Sequence, residues 1–192
     1  MEEGYMNTIV IEGDLVKDDG RSGMKLDKLY WLSSERKSGT MDRLMVFADG
    51  VVPDGRVRIR GKVKSAYLRG AGVPTFIEAE SVEPIEGSGT CISEAVVDGT
   101  VRSDPVCRKI EARGGDGSGH GADKHICTLL LQTDGGTVPA VLWGKDAEDA
   151  PARFRPGDMV RESGRLQSRR YHTKEGGQKT AYSLSVYGIE AI

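Results

Sequence analysis

A run of β-branched and aliphatic residues interrupted by a single glycine occurs twice in this chain, and no other feature restricts the fold as tightly. The first copy is Asn7-Thr8-Ile9-Val10-Ile11-Glu12-Gly13-Asp14-Leu15-Val16-Lys17-Asp18, and the second is Glu94-Ala95-Val96-Val97-Asp98-Gly99-Thr100-Val101-Arg102-Ser103-Asp104. Such residues favour extended backbone, and a glycine within the run marks a bulge or sharp bend that lets one long strand serve two sides of a small barrel. A second pattern is repeated with it. Arg56, Arg58, Arg60, Lys62 and Lys64 alternate with Val57, Ile59, Gly61 and Val63 and lead into Tyr67. In the other half, Gly164-Arg165-Leu166-Gln167-Ser168-Arg169-Arg170-Tyr171 sets Arg165, Gln167, Arg169 and Tyr171 on one side of a strand and Leu166 on the other. Successive strand side chains point to opposite faces, so each copy offers a basic face close to a tyrosine. One device used twice argues for two similar domains.

The rest of the chain supplies the other strands. Lys28 to Ser33, Arg43 to Ala48 and Thr75 to Val82 complete a set of five in the first half, with Pro53-Asp54-Gly55 as a tight entry to the basic strand. Turns rich in Gly and Ser fall at residues 19–25 and around 69–72. Glu86-Gly87-Ser88-Gly89-Thr90 has the composition of a short linker, which gives a first domain at 1–86, a linker at 87–90 and a second domain at 91–192. The second half repeats the order with His125 to Gln132, a hairpin at Gly135-Gly136, and Thr137 to Gly144. Pro139 cannot donate a ladder hydrogen bond and marks an edge or bulged position. Lys145 to Phe154 reads as a short helix closed by Arg155-Pro156-Gly157-Asp158, whereas Asp49 to Gly55 is too short to hold one. Arg108 to Lys124, glycine-rich at its centre, reads as a mobile loop. The expected class is all-β: two tandem five-stranded Greek-key OB-fold barrels, the second with a short helix between its third and fourth strands.

Composition limits the function. The formal net charge is −2 and the pI near 6.0, so any nucleic-acid contact must be local, because the basic residues are concentrated in the two strands just described. The N-terminus lacks the cationic flank and apolar core of a signal peptide, and no run is long enough for a bilayer span, so a cytoplasmic location and no membrane partner are expected. Cys91, Cys107 and Cys127 are odd in number, distant in sequence and without a C-x-x-C pair, and read as ordinary reduced thiols. His120, His125 and Cys127 follow no metal-ligand spacing, so neither a metal nor a cofactor is expected. The glycine-rich stretch from Gly114 to Gly121 lacks the G-x-x-x-x-G-K-[ST] spacing of a phosphate-wrapping loop, and Asp146, Glu148 and Asp149 have no partnered base. Enzymatic activity is therefore not expected.

Five blocks, in order, resemble the bacterial single-stranded DNA-binding protein family: Gly99 to Pro105, Leu142 to Glu148, Phe154 to Val160, Gly164 to Tyr171 and Lys174 to Lys179. The likeness runs from about Ile92 to Ile192; in the first half it is fainter, carried by Glu12 to Asp18, Phe47 and Gly61 to Tyr67. Non-specific binding of a single strand needs cations along the phosphates and rings on which bases stack. The resemblance implies stacking by Trp143, rather than a core position, and by Tyr171, with Phe47 and Tyr67 aligned to them in the first half. Tyr67 falls on the apolar parity of its strand, one residue out of step, and is either a core ring or, if a bulge corrects it, a stacking ring. Trp31, lacking an aromatic counterpart in the second half, reads as a first-half stacking ring or as core, with core preferred. The phosphate candidates are Arg165, Arg169, Arg170, Lys145 and Lys179 in the second half and Arg58, Arg60, Lys62 and Lys64 in the first. Lys174-Glu175-Gly176-Gly177 reads as the tip of a hairpin finger.

The function so implied is sequence-independent binding of single-stranded DNA in replication, recombination or repair, by a homodimer that assembles four barrels, located at the nucleoid and able to meet replication or repair proteins. The alternative is a primosome-type OB-fold assembly protein in which one lobe binds nucleic acid and the other binds protein.

Overall fold

The computed structural model describes residues 5–20, 26–50, 52–68, 72–110 and 124–192. Five strands come first: β1 (Asn7–Lys17), β2 (Leu29–Glu35), β3 (Met41–Phe47), β4 (Gly55–Ser65) and β5 (Thr75–Pro84). Their pairing closes on itself. β1 is antiparallel to both β2 and β4, β2 to β3, β4 to β5, and a short parallel ladder at Val46↔Ile77 and Phe47↔Glu78 joins β3 to β5. The architecture is all-β with a closed five-strand barrel, as the sequence leads one to expect.

The same scheme of pairing recurs in β6 (Ser93–Val101), β8 (Lys124–Thr133), β9 (Gly136–Trp143), β10 (Met159–His172) and β11 (Gln178–Ala191), again with one parallel ladder, at Leu184↔Ala140 and Ser185↔Val141. A helix, α1 (Gly144–Arg153), lies between β9 and β10, and its buried Ala147 and Ala150, with Phe154 at its end, pack into the core. β7 (Val106–Ile110) stands outside this circuit as a hairpin partner of β8. Among the described residues no helix is long and apolar enough to cross a membrane.

Alternation explains which side chains fill the interiors. Ile9, Ile11 and Leu15 of β1, Val57, Ile59 and Val63 of β4, and Leu129, Leu131, Val138, Ala140 and Leu142 of β8 and β9 are buried. The bends fall where glycine permits close approach. A Cβ on Gly13 would collide with the Ser33 carbonyl, and one on Gly99 would lie 3.0 Å from Leu131 Cβ. β1 passes from β4 to β2 across its bend, and β6 passes from β10 to β8 across its own. The glycines Gly61 and Gly164 mark matching register shifts, between Arg60 and Gly61 and between Ser163 and Gly164. Just before each bend a buried carboxylate meets an arginine. Arg58 donates to Glu12 Oε1 at 3.0 and 2.7 Å, and Arg161 donates to Asp98 at 2.7 and 2.8 Å. Burial opposes ionisation of Glu12, but its bonds to Arg58 and Ile92 hold the carboxyl below its ordinary range; Arg161 does the same for Asp98 against burial.

Among the described residues, three junctions between the two circuits stand out. β1 and β6 pair antiparallel from Asn7↔Val97 to Ile11↔Ser93, which makes one sheet of 11 strands. The β8–β9 turn docks on the end of β4. Ser65 N–H donates to the Gly135 carbonyl at 2.8 Å, and the Asn7 amide donates to the Val63 carbonyl at 2.9 Å and to Asp134 at 2.6 Å. Third, the buried Asp42 of β3 accepts from the Ser168 N–H of β10 at 2.8 Å and from the Arg36 guanidinium, while Arg43 N–H donates to Ser168 Oγ at 2.9 Å.

Two expectations need correction, and a third, on Pro139, holds for its own position though not for its strand. Cys107 and Cys127 are not reduced thiols: they are joined by a disulfide, because β7 and β8 fold back antiparallel and make them register partners with Cα atoms 4.0 Å apart despite a sequence separation of 20. Cys91 is free. Of the expected mobile loop, Arg108 to Ile110 belongs to β7 and Lys124 to β8, and residues 111–123 lie outside the described residues, as do 21–25 of the first turn. Pro139 is not on an edge strand. β9 is flanked by β8 and β11, and Pro139 sits just before the β11 ladder begins at Ala140, where β8 alone is paired.

Candidate nucleic-acid interface

A groove of about 1410 Å³ runs between the two circuits and is lined from both sides. β2 and β3 contribute Trp31 and Arg43, β7 to β9 contribute Arg108, Ile126 and Trp143, and β10 and β11 contribute Arg169, Arg170 and Tyr182. Arg36 and Asp42 close one end at the β3–β10 junction. Five arginines and three aspartates line it, so a chain with net charge −2 carries a local excess of cations here. Asp42 is held by Arg36, and Asp18 by the Trp31 indole.

Trp143 is the last residue of β9 and 42% exposed, with its indole N–H donating to Ser185 Oγ at 3.2 Å. It stands outside the barrel interior. Trp31 is half-buried, one side packed on the small cluster of Leu29, Met45 and Phe76 and the Arg43 guanidinium 4.6 Å from its ring centroid. Its N–H donates to Asp18 Oδ1 at 2.8 Å, which fixes the plane of the ring. Of the two readings of Trp31, the preference for core is corrected: the ring rests on a small apolar cluster and also faces the groove. It shares the parity of Ser33 and Glu35, and that alternation was the available signal. Tyr182 is partly buried and packs against the cores of both circuits; burial raises its hydroxyl pKa, and the nearby Arg43 and Arg170 oppose the rise.

The expected site residues divide into groups. Trp143, Arg169 and Arg170 line the groove, and Tyr171 and Lys179 lie just beyond it as exposed register partners on the β10–β11 hairpin, whose turn is closed by Thr173 N–H to the Gly177 carbonyl at 2.8 Å. Lys145 is exposed on α1 and pairs with Asp149 at 3.3 Å. Arg165 lies beyond the Asp42 junction, 3.9 Å from that carboxylate, in a second crevice with Tyr187. Burial, then the charge of Arg36, lower the pKa of Arg165.

The first-half residues are placed elsewhere. Phe47 packs edge-on against Phe76, ring centroids 4.8 Å apart, outside the groove. Tyr67 is 75% exposed beyond the end of β4, so it is not a core ring, and it does not line the groove. Arg58 is engaged by Glu12, Lys62 faces Glu80 at 3.9 Å, Lys64 pairs with Glu78 at 2.5 Å, and Arg60 is exposed; none of the four lines the groove. The residues that sequence reasoning missed are Arg43, Arg108 and Tyr182. Arg108 was concealed because its strand reads as the edge of a glycine-rich loop. Among the described residues no group of His, Cys, Asp and Glu is arranged to hold a metal.

No protein-family model matches the chain. It is 28% identical over 94 residues to Single-stranded DNA-binding protein 1 of Clostridium acetobutylicum, an alignment that covers 48% of this chain and 84% of that protein. The wild-type single-stranded DNA binding protein from Thermus aquaticus has a similar structure, with a TM-score of 0.65 and 16% identity over 98% of this chain and 94% of its own. A deletion variant of the same protein gives a TM-score of 0.64 at 15% identity, over 98% and 95% of the two chains. The fold defined by the barrel is therefore that of OB-fold proteins. The chain resembles the bacterial single-stranded DNA-binding protein family in sequence over about half its length and in fold over nearly all of it.

Proposed function

We propose that the chain is a tandem OB-fold protein, with domains at 1–86 and 91–192 and a linker at 87–90, that binds single-stranded DNA without regard to sequence and without catalysis. The observation that carries the reading is that Trp31 and Trp143, from different circuits, stand in one groove lined by arginines. Rings of this kind offer a stacking face to any base, and guanidinium groups meet the phosphates between stacked bases. Tyr171 and Lys179 extend the path onto the hairpin finger. The natural setting for such an activity is replication, recombination or repair at the bacterial nucleoid, as a homodimer presenting four barrels and meeting replication or repair proteins. Sedimentation of the full chain that reported monomer alone would exclude the dimer.

The test of binding is fluorescence titration with oligo-dT. Trp143→Ala is expected to weaken binding by about 1 to 3 kcal/mol and to remove most of the quenching, and Trp31→Ala to weaken it by a similar amount. Unchanged affinity in both variants would overturn the reading. A primosome-type role, with the first domain given over to protein contacts, is favoured by the ion-paired cations of β4, but Trp31 and Arg43 on the groove weigh against it.

A further inference from the structure

We infer that the Cys107–Cys127 disulfide is a thiol–disulfide exchange site that sets the affinity of the groove for single-stranded DNA; the inference rests on the reading of the groove given above. Arg108 on β7, Ile126 on β8 and Trp143 on β9 are register partners in turn, so they form one row across three strands. All three line the groove. Neighbouring strands lie about 4.8 Å apart, which sets Arg108 about 10 Å from Trp143, near enough for one to hold a phosphate while the other stacks a nearby base. Cys107 and Cys127 occupy the adjacent rung of the same ladder. The cation and the ring are therefore held in register by a strand whose attachment includes a covalent bond.

That attachment is otherwise light. β7 lies outside the barrel circuit at the end of the strand order, all five of its residues are exposed, and among the described residues its ladder runs to β8 alone, with α1 also coming near it. Cys107 is exposed and Cys127 is buried, so attack from solvent is directed at one sulfur. A thiolate from a small or protein thiol attacks Cys107 Sγ, forms a mixed disulfide there, and expels Cys127 Sγ as a thiolate that takes up a proton. A second thiolate attacks the mixed disulfide at the outer sulfur and releases Cys107 as a thiolate, which is protonated in turn. Two thiols are thereby oxidised to one disulfide as the protein disulfide is reduced to two cysteines. Disulfides of proteins in reducing compartments are characteristically of this transient, redox-responsive kind. Once the bridge is open, β7 is free to fray from β8 and Arg108 leaves its place beside Trp143.

The experiment compares oligo-dT binding by the full chain, oxidised and after treatment with dithiothreitol, with the thiol state counted by alkylation and mass spectrometry. Reduction is expected to weaken binding by about three- to tenfold and to make the slope of log K against log salt shallower by about 0.7, the loss of one phosphate contact. Cys107→Ser, at an exposed position that preserves the fold, is expected to match the reduced protein and to be indifferent to dithiothreitol. Circular dichroism monitors the fold of each sample. Equal affinity before and after a counted loss of the disulfide overturns the inference and leaves the proposed function intact. Alkylation of both cysteines in the untreated, air-oxidised chain overturns it as well. If the oxidised chain, with its bridge verified, binds no oligo-dT, the proposed function fails, and the inference fails with it.

Discussion

Glu162 lies on the inward parity of β10 with Val160, Gly164 and Leu166, and neither of its carboxylate oxygens has a hydrogen-bond partner. Burial pushes its pKa from 4.5 up to about 8, so the folded protein holds it neutral at pH 7, whereas the unfolded chain ionises it. Because the folded pKa is the higher one, its contribution is fully present below pH 4.5 and is lost as pH rises to about 8, at about 1.4 kcal/mol per pH unit. Glu12 and Asp98, buried but paired with arginines, have the opposite sign, and the stability they contribute is lost only in acid. Glu162→Gln is therefore expected to leave stability at pH 5 nearly unchanged and to raise it at pH 9, as measured by urea unfolding at both values. A pH dependence identical to that of the native chain would show that Glu162 is already ionised in the folded state. Residues of this kind were not legible in advance. Trp143 is marked in advance by the family resemblance of Leu142 to Glu148, but nothing local to Arg161-Glu162-Ser163 says that the acid turns inward, since that depends on the strands on either side.

The strands themselves were largely legible, because glycine and alternation report backbone conformation directly. Gly13 and Gly99 mark the bends, and Gly61 and Gly164 sit at the register shifts. That second correspondence explains why Tyr67 and Tyr171 are not equivalent: counted from Gly61 and Gly164, Tyr67 falls level with Arg170. What the sequence could not disclose is contact between elements distant in the chain. The hairpin at Gly135 reads as an ordinary turn, yet it is a docking surface, and a Cβ there would collide with the Val63 carbonyl and lie 3.1 Å from the Asn7 amide. Gly135→Ala is expected to destabilise the chain by about 1 to 3 kcal/mol, since backbone on both sides must shift. Gly176 gives the contrast: a Cβ meets nothing there, and only the positive φ of 82° is strained, so Gly176→Ala is expected to cost about 1 kcal/mol. Equal losses in urea unfolding would mean that the β8–β9 turn does not bear on β4. β7 was missed for a related reason, because five residues at the margin of a glycine-rich segment carry too little pattern to read as a strand.

At the scale of the whole molecule, the question is whether the two halves bind as one surface or whether one binds alone. The groove draws Arg43 from β3 and Arg169 and Arg170 from β10, while Lys64 on β4 is spent on Glu78. Each phosphate neutralised on a single strand steepens the decline of log K with log salt by about 0.7. If the halves act together, Arg43→Gln and Arg169→Gln each make that slope shallower by about 0.7, and the double variant by about 1.4, because the two guanidinium groups meet different phosphates. Lys64→Gln leaves it unchanged. If only the second domain holds DNA, Arg169→Gln alone has an effect and Arg43→Gln behaves like Lys64→Gln. Measuring oligo-dT affinity for the four proteins across a range of salt separates these cases, and the arginine over the Trp31 ring is the residue on which the decision turns.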